Sequence, residues 1–159
     1  MTKTMHENFA DAMLYILDEL FDNVHGVLLD KNTSMFETLA TITAEEASRP
    51  VSPTCATLAA QVAHVAFYLD TTYDFVKHGP PAERIDWGHI WRTVREVTPE
   101  EWEASKQRLR ESYNRAIELV KTTPDFNDMN VIGGSIGLVA HTAYHLGEIR
   151  QALCTLKGS

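Results

Sequence analysis

The segment "HTAYHLGEIRQAL", residues 141–153, carries two imidazoles four positions apart. An α-helix turns about 100° per residue, so His141 and His145 project from nearly one face. Such a pair can be solvated, can sit in a core with its ring nitrogens hydrogen-bonded, or can share a metal ion. Seven histidines scattered through 159 residues would give about 0.3 pairs at this spacing by chance, so the spacing alone decides little. The neighbours on the stripe say more. Gly134, Leu138, Ile149, Ala152 and Leu156 share it, which reads as a face turned towards a core. Buried neutral imidazoles need partners, and one shared ion satisfies two nitrogens at once. Periodicity still leaves core and surface histidines open beside metal ligands.

A tetrahedral site would take a further ligand from a facing helix. His64 is the candidate, on a mostly apolar face with Ala60, Gln61, Tyr68 and Phe75. Other constellations are weaker. The pair reads H-T-A-Y-H, without the glutamate that metalloproteases place after the first histidine. Cys154 lies thirteen residues past His141, about 220° around the helix, and is expected to be a small core residue. His6, His25, His78 and His89 fall near ends or in loops and are expected to be solvated. "IGGSIG" lacks the lysine and the preceding strand of a phosphate loop. "DKNTSM" is not a calcium loop, because its sixth position is Met35 and its twelfth is Thr41.

Four long helical stretches must position these residues. The first covers about residues 4–21, with Phe9, Met13, Ile16 and Leu20 on one face. A shorter helical piece, "TSMFETLATI", follows a linker, and "SRPVSP" is turn material. The second long helix is expected over about 54–78. A loop of roughly twenty residues follows, bearing Trp87 and Trp91, and loops of that length are often functional; it is a candidate cover for a pocket mouth. "TPEE" opens the third helix, with Thr98 as cap, Pro99 at the first position and Glu101 completing a capping box. The fourth runs over about 131–157, with Gly158 placed as its C-terminal cap. No repeat, low-complexity segment or alternating strand pattern interrupts this order. The reading is all-α, a four-helix bundle in one domain spanning 1–159, the setting in which facing helices build metal sites.

Composition excludes several classes. Lys and Arg number 14 against 22 for Asp and Glu, a formal charge of −8, which disfavours a nucleic-acid backbone or an anionic membrane as partner. The N-terminal stretch is broken by acids and has no signal-peptide core, and no apolar run is long enough to span a bilayer. Two cysteines give no disulfide framework, so a cytoplasmic location is expected. The sequon at Asn32 carries no weight there.

"TCATLAAQVAHVAFYLD" followed by "GLVAHTAYHLGEIRQAL" resembles the DinB-like metal-binding family. "AEEAS…P" and "TPEEW" fit the same template, so the likeness covers nearly the whole chain. Its most specific part is H-x-x-Y-H-x-G paired with a single histidine in the second helix. The resemblance implies a four-helix bundle, often dimeric, that holds a divalent metal, usually zinc or nickel, through His64, His141 and His145. Relatives include thiol S-transferases that join a low-molecular-weight thiol to an electrophile, and a mycothiol-dependent maleylpyruvate isomerase. The implied partners are therefore a small-molecule substrate, a thiol cosubstrate and a second copy of the chain.

One position departs from the family pattern. Many relatives carry Gln after the motif glycine, where this chain has Glu148. Glu148 lies about 20° from His141 around the helix. It could ligate the metal, orient a histidine, act as a base, or be a rim residue paired with a cation. Tyr144, about 60° off the stripe, could hydrogen-bond near the site, with packing at a helix interface as the plainer role. These two are the catalytic candidates. The leading expectation is metal-dependent thiol transfer. A hydrolase using metal-activated water and a non-catalytic, metal-stabilised bundle are the alternatives.

Overall fold

The computed structural model describes residues 2–158. Among them are seven helices and no strand. Four are long: α1 (Met5–Phe21), α4 (Leu58–His78), α6 (Pro99–Thr122) and α7 (Met129–Gly158). Three have five residues each: α2 (Met35–Leu39), α3 (Ala44–Ser48) and α5 (His89–Thr93). α4 packs on α6 and α7, and α1 packs on both of these, so the long helices close a four-membered ring. The chain is all-α, as its periodicity predicts.

Local chemistry sets the helix starts. Thr4, Ser34, Thr43 and Thr98 each head a capping box completed by a glutamate three residues on. The side chain thereby meets one orphan backbone donor and the glutamate another. α4 begins at Leu58, four residues later than expected. Cys55 N–H bonds Ser52 C=O at 3.0 Å, which keeps residues 52–55 in a turn, and Thr57 then caps Ala60 N–H at 3.2 Å. At the other end of the chain Gly158 is the last helical residue, and its φ is not left-handed. The cap expected there is not made by this glycine, because α7 runs straight through it.

The core is built from the inward stripes. Leu17, Leu20 and Phe21 of α1, Val62, Val65 and Leu69 of α4, Leu109 and Ala116 of α6, and Leu146 and Ile149 of α7 are all buried. Each large aliphatic side chain moved from water stabilises by about 1.5–3 kcal/mol. Trp102 is buried with them and donates its indole N–H to Ile42 C=O at 2.9 Å, which ties the 42–43 turn to α6. Asp70 on α4 holds Arg115 and Arg108 of α6 at the rim of the ring. Cys154 is exposed rather than in the core, because the stripe opposite the histidines faces solvent at that turn.

A buried acid joins α1 to the segment that follows it. Glu19 is fully buried, and its carboxylate accepts the backbone N–H groups of Gly26, Val27, Leu28 and Leu29 at 2.8–3.2 Å. Gly26 adopts φ +82° in this turn, a region that side-chain-bearing residues avoid. No helix of the structure is long and apolar enough to cross a membrane.

Candidate metal centre

α4 and α7 pack side by side, and their facing stripes bring His64, His141 and His145 together. One ligand atom from each lies within 4.8 Å of the others. Among the described residues this is the single group of three or more His, Cys, Asp or Glu side chains compact enough to hold an ion. The Nε2 atoms of His64 and His141 stand 3.1 Å apart. Two ligands of a tetrahedral ion with bonds of about 2.0–2.1 Å would have nitrogens about 3.3 Å apart, so this pair has the right span.

Protonation also suits a metal. Burial pushes the His64 imidazole down to about 4; repulsion by His145 adds to this and Glu148 opposes it. Burial brings His141 to about 4 as well, with His145 and His64 contributing. His145 is lowered by burial against the pull of Glu148. All three are neutral at pH 7, with a lone pair free, which is the form a metal takes. The Nδ1 atoms of His64 and His141 are buried without a hydrogen bond. Their mutual contact therefore employs only Nε2 of each ring, the same nitrogen whose 3.1 Å separation suits a shared ion. The donor set fits a borderline divalent ion such as zinc.

Each histidine is held by a different device. His145 Nδ1 faces two acceptors, Gln61 Oε1 at 2.7 Å and Glu148 Oε2 at 3.0 Å. Both can only accept, so the proton sits on Nδ1 and Nε2 keeps its lone pair. His141 is held by stacking: the Tyr68 ring lies 3.6 Å from it at 11°. Gly137 makes this possible, since a Cβ there would meet the Tyr68 hydroxyl at 3.0 Å. His64 is covered by Trp91, with ring centroids 4.3 Å apart. Trp91 comes from α5, inside the long 79–97 loop, so that loop does lie over the cluster, while Trp87 packs against Phe67 and Tyr68 further along α4.

Glu148 is neither a rim residue paired with a cation nor distant from the site. It bridges His145 and Tyr144, whose hydroxyl donates to Oε1 at 2.8 Å. That bond, with the carboxylate's charge, raises the Tyr144 pKa, so the phenol stays a donor. Tyr144 is 62% exposed, which corrects the expectation of interface packing. Gln61 and Tyr68 were visible only as members of the His64 face. Their positions three residues before and four after that histidine, each about one helical turn away, were the available signal. Of the four histidines expected to be solvated, His25, His78 and His89 are exposed. His25 bonds Asp18 at 2.7 Å and stacks on Tyr15. His6 is a correction, since its ring packs on Phe126 and its Nδ1 is buried.

Beside the cluster a cavity of about 650 Å³ opens between α7 and the residues ahead of α4. His145, Gln61 and Trp91 line one end of it, together with Tyr144 and Glu148.

An all-helical ring with three converging imidazoles in its core defines the class: a helical bundle with a candidate metal centre. The family follows from the sequence comparison. The model of the DinB superfamily matches residues 28–149, most of the chain and all three histidines, and the chain belongs to that superfamily. Searches of curated proteins and of solved structures gave no significant match.

Proposed function

We propose that this chain is an enzyme that holds a divalent ion, zinc or nickel, through His64, His141 and His145, and joins a low-molecular-weight thiol to a small electrophile. The observation that carries the reading is the convergence of three neutral imidazoles, of which His145 lines an open cavity. Three protein ligands with room for a fourth partner is the catalytic arrangement rather than the structural one. Such an ion would lower the pKa of a thiol brought to it, so that the sulfur could attack at neutral pH.

The chain's own groups would do the rest. Gln61 and Glu148 fix the His145 tautomer, and Trp91 shields the cluster from water on the His64 side. Glu148 is the group placed to accept a proton from an incoming thiol, while Tyr144 steadies its carboxylate. In keeping with the family likeness, we further propose a single domain acting as a cytoplasmic homodimer. Hydrolysis is the second reading, favoured by the same Glu148 beside the cavity. Turnover without added thiol would select it.

The test is metal content by mass spectrometry on untagged protein, followed by thiol-conjugation assays. The wild type should carry about one ion per chain and His145→Ala none, with conjugation lost in parallel. A variant that keeps metal and activity would overturn the assignment.

A further inference from the structure

The cavity beside the histidine cluster is a groove. Its α7 wall runs through His145, Glu148, Gln151 and Thr155, about 15 Å at 1.5 Å per residue. Val51 and Cys55 line it with them. Its charge is as informative as its shape. Among the described residues no lysine or arginine lines it, and Glu148 is the one acidic residue that does. The arginines closest in sequence to its walls are turned to other partners. Arg49 donates to Leu156 C=O, Arg92 pairs with Asp86, and Arg150 donates to Thr38. Thr57 caps the nearby first turn of α4. A carboxylate or phosphate lying along this groove would leave water for an apolar wall with no counter-charge and a carboxylate beside it.

We infer that the groove selects a substrate whose tail, remote from the histidines, is uncharged or cationic, and that it rejects tails bearing carboxylate or phosphate. This rests on the groove being the substrate site of the proposed metal centre. The rule concerns the tail alone, because an anionic head is favoured next to a divalent ion. Gln151 and Thr155 supply hydrogen-bonding partners for a neutral polar tail, and the exposed apolar lining suits its carbon chain.

Three thiols of equal length test the inference: 6-mercaptohexanol, 6-aminohexanethiol and 6-mercaptohexanoate. On cobalt-loaded protein, the sulfur–cobalt absorption band reads the head. On zinc-loaded, isotopically labelled protein, the amide shifts of Gly147, Gln151 and Thr155 read the tail. The alcohol and the amine should bind about tenfold more tightly than the acid, and Gln151→Lys should narrow or reverse the gap. Equal or tighter binding of the acid, or no amide shift with any of the three, overturns the inference. Amide shifts in the expected order without a sulfur–cobalt band would keep the charge rule and remove the thiol reading instead.

Discussion

The three imidazoles are alike in chemistry but are restrained by different forces, and substitutions should separate them. His145 depends on hydrogen bonds, so Gln61→Leu should weaken metal affinity by about 10–100-fold with little change in fold, read by competition with a chromogenic chelator. His141 depends on a stacked ring. Tyr68→Phe, which keeps the ring, should bind metal as the wild type does, whereas Tyr68→Ala should lose affinity and, because Tyr68 is only partly buried, destabilise the fold by about 1–3 kcal/mol, less than a fully buried aromatic would. Equal metal affinity in the two Tyr68 variants would show that stacking does not matter. Helical spacing put His141 and His145 on one stripe but left their role open, and the family resemblance was what joined them with His64 as a ligand set. Gln61 was not legible as their holder, since its contact spans 84 positions and depends on how α4 and α7 are phased. Glu148 was readable as a neighbour of the face, and only side-chain geometry shows which of its possible partners it takes.

The helices themselves were more legible than the links between them. Thr98, Pro99 and Glu101 announced α6 because a capping box is a local device. Glu19 is the opposite case: its four donors come from a segment with no periodicity, so nothing in the sequence marked it as a buried anion. Burial raises its carboxyl pKa, but the four backbone N–H bonds outweigh this and hold it below the usual 4.5. A carboxyl lowered in the folded state contributes stability above its unfolded pKa and loses it as pH falls through the folded one. The urea midpoint should therefore fall on acidification below about pH 4.5, and Glu19→Gln should flatten that part of the profile while costing about 1–3 kcal/mol at pH 7. An unchanged acid limb in the variant would mean other carboxylates govern it.

At the scale of the whole molecule, the candidate centre joins two long helices that already share the core. An ion held at the centre would bind the folded form and stabilise it by mass action, so on the proposed reading a chelator should lower Tm by several degrees without abolishing helical circular dichroism. Complete unfolding on chelation would mean that the ring of α1, α4, α6 and α7 does not stand alone. That ring was legible as an all-helical bundle from four periodic stretches. The neighbour relations within it were not, because each helix offers an apolar face that would fit more than one partner. The distance along the chain between the histidines has a further consequence. His64 and His141 are 77 positions apart, so during synthesis the first waits alone until α7 has emerged and docked. On the proposed reading, occupancy of the centre would report a finished chain: a truncated or half-folded product offers one imidazole and competes poorly for scarce ions, which are left to molecules able to use them.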